Sequence, residues 1–264
     1  MEGVCKLCLE MHELKDSHIY PRSVLKRFKR NSSQAYMLTD KIGVGARKVN
    51  YNPTEYMLCT TCEIKLSQKY ENYGARFLVN KKSLSRERGG VRIKNMDYDR
   101  LYLYFISILW RASVAKSVEF NHISLGEFYN EWAREAVFSG KIKRQTSSGK
   151  ISLDSIIGVC LFRMTDSKGE LGDDILRDFF SPLRFQAGDR SDMFIFTMFV
   201  DGFIVVYTFT SYDDFHEMRV NNKYPRLSKY GSNFIKLIDV RELKEFVDVI
   251  NNTVDSMREN RREG

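Results

Sequence analysis

Two pairs of cysteines have the spacing of metal ligands. Cys5-x-x-Cys8 and Cys59-x-x-Cys62 use four of the five cysteines in the chain. Two residues between thiolates let one tight turn present both sulfurs to the same ion, and two such pairs complete the tetrahedral shell that Zn²⁺ prefers. Fifty residues separate the pairs, which suits a treble clef built from a knuckle, a hairpin and a helix that begins near the second pair. Because four thiolates leave no open coordination position, we predict a structural zinc, with any chemistry elsewhere.

The remaining cysteine and the start of the chain indicate where the protein works. Cys160 lies in an apolar run and is predicted to pack in the core. The first residues, MEGVCKLCLEMHELKD, lack the apolar segment of a signal peptide, and no apolar run reaches the roughly 18 residues of a membrane span. We therefore expect a cytoplasmic protein with reduced thiols and no membrane contact.

The positive charge is concentrated in the first third of the chain. Residues 1–94 carry 19 Lys and Arg against 9 Asp and Glu, whereas the rest carries 23 against 25. A local positive field favours a polyanion, and nucleic acid is the commonest one. An ordinary solvated surface is the alternative. Because the zinc pattern lies in the same segment, we expect a nucleic-acid partner, with DNA the favoured one.

The segment between the cysteine pairs resembles a known family. D-S-H-I-Y-P at 16–21 and L-C-x-x-C-E at 58–63 are similar to the hairpin and helix start of the HNH endonuclease superfamily, which has the treble-clef ββα-metal fold. The match is closer to an SHI-x-P/LCxxCE subgroup of bacterial and phage HNH-like proteins, in which a second Glu (here Glu71) and an S-x-x-W-R segment (here 107–111) follow. The resemblance covers about residues 1–112.

The resemblance implies catalytic roles for residues between the knuckles. His18 takes the position of the general base that removes a proton from water, and Glu63 that of a helix-start ligand to Mg²⁺ or Mn²⁺. Asn50 or Asn52 corresponds to the asparagine that orients the base. Ser17 departs from the family, because an Asp or His ligand is expected there and a neutral hydroxyl is a poor metal ligand. The alternative is a module that binds nucleic acid without cutting it.

A basic helix is predicted beside this hairpin. RSVLKRFKR follows Pro21, which suits a helix entrance, and several of its cations can share one face and contact phosphates. The predicted nucleic-acid-binding residues are those of this helix and of a later loop: Arg22, Lys26, Arg27, Lys29, Arg30, Arg47 and Lys48.

The rest of the chain predicts an α+β fold in two parts. We expect a zinc-bound HNH-like ββα module at 1–88, a polar linker containing Gly89-Gly90, and an α+β domain at 95–264. In that domain, residues 97–118 read as a buried helix and 123–140 as a second helix capped by Ser124. KIKRQTSSGK, at 141–150, reads as a loop. Asp201-Gly202 joins two β-rich runs as a hairpin, and a closing helix starts near Asp239.

These features favour a metal-dependent HNH-like endonuclease that hydrolyses DNA phosphodiesters. The setting that the resemblance implies is phage–bacterium conflict, either antiphage defence or restriction. The first alternative is an inactive treble clef that binds nucleic acid or a protein partner. The second is an inhibitor or adaptor acting through the C-terminal domain, which could also bind a partner protein or another copy of the chain.

Overall fold

The computed structural model describes residues 1–28, 35–37, 47–49, 51–80, 83–146, 149–187, 194–209, 225–231 and 233–243. This part of the chain is a mixed α+β fold, as predicted. Its helices are α1 Arg22–Phe28, α2 Thr60–Leu66, α3 Asn72–Val79, α4 Tyr98–Val114, α5 Gly126–Ser139, α6 Leu153–Ile156 and α7 Asp173–Asp178, with a π-helical turn at Ser67–Glu71 and 3₁₀ turns at Val118–Phe120 and Val240–Glu242.

The strands of the described residues form three sheets. They are β1 Glu2–Val4, β2 Met11–His18, β3 Ala35–Met37, β4 Arg47–Val49, β5 Thr54–Cys59, β6 Leu84–Glu87, β7 Gly90–Ile93, β8 Lys143–Thr146, β9 Gly149–Ser152, β10 Ile157–Thr165, β11 Phe179–Ala187, β12 Phe194–Val200, β13 Phe203–Phe209 and β14 Phe234–Asp239. The smallest sheet is the pair β8–β9. An antiparallel sheet in the order β1-β2-β5 carries the first cysteine pair at one end. The largest sheet has the order β4-β3-β11-β12-β13-β10-β14-β7-β6.

Helix α4 occupies the centre of the molecule because its sequence is apolar on every side. Almost all of its residues are buried, whereas a surface helix would bury only one stripe. Two tyrosine hydroxyls join it to the large sheet: Tyr102 donates to the carbonyl of Ile157 and Tyr207 donates to that of Phe105, at 2.8 and 3.0 Å. Asp97 caps its first turn by accepting from the N–H of Arg100 at 3.2 Å.

The elements with strong sequence patterns form as predicted. The helix after Pro21 is present from Arg22 to Phe28, and a helical run follows Cys59. Asp201 and Gly202 both have positive φ, 55° and 75°, and connect β12 to β13, so the predicted hairpin is confirmed. Cys160 is fully buried within β10, as expected of a core thiol.

Three predictions about residues 95–264 need correction. Ser124 does not cap α5, which begins at Gly126 after Leu125, so the serine hydroxyl is outside the capping position. The predicted loop at 141–150 contains β8 and the start of β9, which pair antiparallel. Asp239 ends a strand and precedes a 3₁₀ turn rather than a helix, and the predicted closing helix after residue 243 lies outside the described residues.

The residues expected to link two modules are part of the large sheet. β6 and β7 form a hairpin, and β7 pairs with β14. One hydrophobic cluster of buried side chains extends from Cys5 to Ile235 and so includes residues on both sides of this hairpin. In the part of the chain that the structure describes, no helix has the length and apolar character to cross a membrane.

Candidate metal centre

The first cysteine pair lies on a tight turn between β1 and β2. The N–H of Cys5 donates to the carbonyl of Glu10, and the N–H of Leu9 donates to that of Cys5, both at 2.9 Å. Leu9 closes the turn with a φ of 65°, an uncommon conformation for a leucine. These bonds turn the side chains of Cys5 and Cys8 to the same side.

The second pair lies where a strand becomes a helix. Cys59 ends β5 and is the N-cap residue of α2, and Cys62 lies in the first turn of that helix. The Sγ atoms of Cys5, Cys8, Cys59 and Cys62 are all within 4.8 Å of one another. The predicted convergence of the two pairs is confirmed, and the four cysteines together could hold a metal ion.

Backbone donors and burial act in opposite directions on these thiols. Burial raises the pKa of Cys5, but hydrogen bonds to its sulfur outweigh burial and leave this pKa below its ordinary value. They come from the backbone N–H groups of Cys8, Cys59 and Leu7 and from the side chain of Cys8. Burial, followed by the charge of Cys5, raises the pKa of Cys62. Cys5 and Cys62 therefore do not ionise together without a counter-charge, which a divalent cation would supply.

Arg134 of α5 contacts the cysteine knuckle from outside. Its Nη1 donates to the carbonyl of Leu7 at 2.7 Å, and its Nη2 pairs with Glu131 at 2.5 Å. Leu7 lies between the two cysteines of the first pair, so the second half of the chain holds this turn directly. The sequence gives no signal for the contact, because Arg134 lies 127 residues from Leu7.

A second group of possible ligands adjoins the first. Cys8, Glu10 and His12 each present a ligand atom within 4.8 Å of the others, and the His12 ring bonds the Glu10 carboxylate at 3.1 Å. Glu10 and His12 are exposed, whereas Cys5, Cys59 and Cys62 are buried and Cys8 is half-buried. These are the two groups of three or more possible ligands in the described part of the chain, and neither contains His18 or Glu63.

Ser17 is fully buried in a distorted part of the β2–β5 pair. The register shifts between Lys15 and Asp16, so Met57 has no partner on β2 and its carbonyl instead accepts from the N–H of Lys6 at 2.9 Å. The Ser17 hydroxyl accepts from the N–H of Leu58 and donates to the carbonyl of Lys15, both at 3.2 Å. Both hydrogen bonds of this hydroxyl are thus made within the hairpin. The adjacent Asp16 is exposed.

His18 lies at one end of the β2–β5 ladder, and the helix that carries Glu63 starts from the other end, where Cys59 pairs with Leu14. His18 is the last residue of β2, half-buried and opposite Thr54 of β5. Glu63 lies in the first turn of α2, and α2 contacts both strands. The Oε1 atom of Glu63 is buried and has no hydrogen-bond partner among the described residues. A buried carboxylate oxygen without a donor is costly, and a cation or water would satisfy it.

The backbone of His18 is tied to α4 by an arginine. Arg111 donates from Nη1 to the His18 carbonyl at 3.0 Å and forms an ion pair with Glu71 at 2.8 Å. Glu71 ends the π-helical turn between α2 and α3. Sequence reasoning noted Glu71 and Arg111 only as motif positions. An arginine within the apolar stretch 101–112 is the available signal, since a buried charge requires a partner.

The predicted phosphate contacts can be followed only in part. Arg22 and Lys26 of α1 are exposed, one turn apart, and neither pairs with an acid of the described residues, whereas Val24 and Leu25 are buried. The backbone of Arg27 belongs to α1, and the backbones of Arg47 and Lys48 belong to β4. Three predicted site residues lie outside the described residues: Lys29, Arg30 and Asn50.

Comparison with protein-family models, with curated proteins and with solved structures finds no match. The function of this chain must therefore be inferred from its own residues and their contacts. Those contacts define one possible metal centre of four cysteines, a hairpin that ends at a half-buried histidine, and a helix whose first turn holds an unsatisfied carboxylate oxygen.

Proposed function

We propose that the four cysteines bind one Zn²⁺ ion whose role is structural, in a treble-clef unit made of the knuckle, the β2–β5 hairpin and α2. The donor set supports this identity, because four thiolates suit Zn²⁺ and poorly suit the hard cations Mg²⁺ and Ca²⁺. The convergence of sulfurs from two turns 54 residues apart in sequence supports a cross-link between the knuckle and the start of the helix.

We further propose that this unit is an HNH-like endonuclease acting on DNA. The observation that carries the proposal is the buried Oε1 of Glu63, which has no hydrogen-bond partner among the described residues and lies in a helix that contacts the strand ending at His18. In this proposal His18 removes a proton from the attacking water, and Glu63 holds Mg²⁺ or Mn²⁺. Such an ion, when bound, stabilises negative charge on the scissile phosphate. The resemblance to bacterial and phage HNH-like proteins suggests a role in antiphage defence or restriction.

The exposed cations of α1 supply the phosphate contacts in this proposal. Arg22 and Lys26 are exposed, have no acidic partner in the part of the chain that the structure describes, and lie just after the strand that ends at His18. Each phosphate contact releases a counterion, so the affinity for duplex DNA should fall steeply as salt is added. The double variant Arg22→Gln/Lys26→Gln should reduce the slope of log affinity against log salt by about 2.

A non-cutting nucleic-acid binder is the second candidate, and Ser17 favours it. The family pattern expects a metal ligand at this position, whereas the buried Ser17 hydroxyl is used by Leu58 and Lys15 of the hairpin. With Ser17 committed to the strands, Glu63 would hold a catalytic cation with fewer protein ligands than in active members of the family. In this candidate the zinc unit and the basic helix bind DNA and His18 is a hairpin residue only.

A cleavage assay separates the two candidates. Zinc-loaded full-length protein is incubated with supercoiled plasmid and Mg²⁺ or Mn²⁺, beside His18→Ala and, as a matched control, His122→Ala, whose ring contacts the Leu183 carbonyl. The nuclease predicts nicking or linearisation, about 100-fold or more slower in His18→Ala and unchanged in His122→Ala. Plasmid binding without cutting under either metal would favour the binder, and cutting that survives His18→Ala would refute the assigned base.

A further inference from the structure

A buried guanidinium joins three parts of the chain at the end of the candidate catalytic strand. Only 1% of the Arg111 side chain is exposed, and its ion-pair partner Glu71 is 16% exposed. Removing a charge from water is costly unless the partner geometry and the hydrogen bonds are good. Such a pair is therefore expected to fix the arrangement of the elements that it joins.

The contacts of Arg111 lead to one backbone atom of the hairpin. Nε donates to the carbonyl of Ser107, within the same helix, at 3.2 Å. Nη1 is within hydrogen-bond distance of both the Glu71 carboxylate and the carbonyl of His18. Nη2 is buried and has no hydrogen-bond partner among the described residues, so the remaining contacts alone hold the guanidinium.

The π-helical turn explains how Glu71 reaches this position. Ser67–Glu71 interrupts an otherwise α-helical run between Thr60 and Val79. A π turn widens the helix locally and changes the face on which the following residues lie, and such turns occur often at functional sites. Glu71 is the last residue of the turn, and the turn contacts α4.

We infer that Arg111, oriented by Glu71, is a positioning residue for His18. The inference rests on the proposed nuclease function. The carbonyl of His18 is fixed by Nη1, and fixing this peptide sets the direction in which the imidazole leaves the backbone. An error of about 1 Å in the position of a reacting group can lower a rate by about 100-fold. The pair should therefore act on the chemical step and not on the binding of DNA.

The test compares two substitutions of the pair with a matched control. Glu71→Gln removes the charge and keeps the shape, and Arg111→Lys keeps the charge but cannot reach Glu71 and His18 through one planar group. Glu87→Gln removes the same charge from an exposed pair with Arg92 on the β6–β7 hairpin. We expect kcat to fall at least about tenfold in both variants of the pair, with KM within about twofold, and no change in Glu87→Gln. Zinc content and melting temperature are measured on every sample.

A double variant distinguishes positioning from general support of the fold. If Glu71 acts through His18, adding Glu71→Gln to His18→Ala should slow the residual cleavage by less than about twofold, because residues that act as a unit are not additive. A kcat loss accompanied by zinc loss, or an additive loss in the double variant, would overturn the inference. Wild-type kcat in Glu71→Gln would overturn it while leaving the proposed function intact. A wild type that cuts no DNA would refute the proposed function and this inference with it.

Discussion

The hydroxyl of Ser17 fills a gap that the bulge at Met57 opens in the β2–β5 ladder. Without it, the buried N–H of Leu58 would lose this acceptor. Ser17→Ala should therefore lower the free energy of unfolding by about 1–2 kcal/mol, measured by urea denaturation of zinc-saturated protein. Ser85→Ala is the matched control, because the buried Oγ of Ser85 has no hydrogen-bond partner among the described residues. Its cost should stay within about 0.5 kcal/mol. Equal costs for the two serines would refute the role of Ser17.

The five cysteines divide into four that converge and one, Cys160, that lies apart from them in β10. Cys62 completes the tetrahedral set, whereas Cys160 is buried in the core of the large sheet. Elemental analysis should find about one zinc per chain in the wild type and in Cys160→Ser, and below about 0.2 in Cys62→Ser, since three thiolates hold the ion far more weakly. Zinc lost from Cys160→Ser, or retained by Cys62→Ser, would contradict the proposed ligand set.

At the scale of elements, the sequence predicts well wherever one pattern dominates. The apolar run of α4 requires burial on every side, and the two β-rich runs around Asp201-Gly202 can only meet through a tight turn. The β6–β7 and β8–β9 hairpins are not predicted, because their strands are short and polar. β6 lies at the edge of its sheet, where charged side chains are normal and hydrophobic alternation is weak.

In the helical run after Cys59, the hydrophobic pattern predicts the helix but not the irregular turn that contributes to the candidate site. Leu66, Tyr70, Tyr73 and Phe77 predict its inner face, and all four are buried or half-buried. Their spacing does not reveal the π-helical turn, because such a turn depends on tertiary contacts. Here the turn ends at Glu71, which forms an ion pair with Arg111. The cysteine cluster was predictable from spacing, whereas the contacts of Arg111 and Arg134 join residues about a hundred positions apart and were not.

The β12–β13 turn should be more sensitive to substitution than another glycine turn of the large sheet. Gly202 has a φ of 75°, and a Cβ there would lie 2.4 Å from Nη1 of Arg163, which donates to the Asp201 carbonyl at 2.9 Å. Gly89→Ala, at a φ of 78° with nothing within 4 Å, meets only the backbone cost of about 1 kcal/mol. Gly202→Ala should lower the free energy of unfolding by about 2–3 kcal/mol, because it also displaces a buried guanidinium. Urea denaturation measures the free energy of unfolding of both variants. Equal losses would show that the Arg163 side chain moves aside at no cost and would contradict the prediction.

At the scale of the molecule, the cysteine cluster and the large sheet share one hydrophobic cluster. Cys5, Leu66 and Leu109 belong to it together with Val205 and Ile235 of the sheet. The polar stretch containing Gly89-Gly90 predicts a boundary between modules, but its polarity describes the surface and does not report how the interiors join. The buried side chains of α4 belong to this cluster. The β1-β2-β5 sheet therefore packs against the rest of the molecule through an apolar interior.

This shared core predicts how loss of the metal should propagate. If Zn²⁺ cross-links the knuckle to α2, its removal exposes part of a cluster that also supports α4 and the large sheet. Calorimetry of the full chain should show one unfolding transition with zinc bound. After treatment with a strong chelator, a single transition should remain, lowered by about 10 °C or more and restored by stoichiometric Zn²⁺. Independent modules would instead give two transitions, with the transition of residues 95–264 at an unchanged temperature. That result would separate the zinc unit from the core, to which Arg111 and Arg134 join it through the carbonyls of His18 and Leu7.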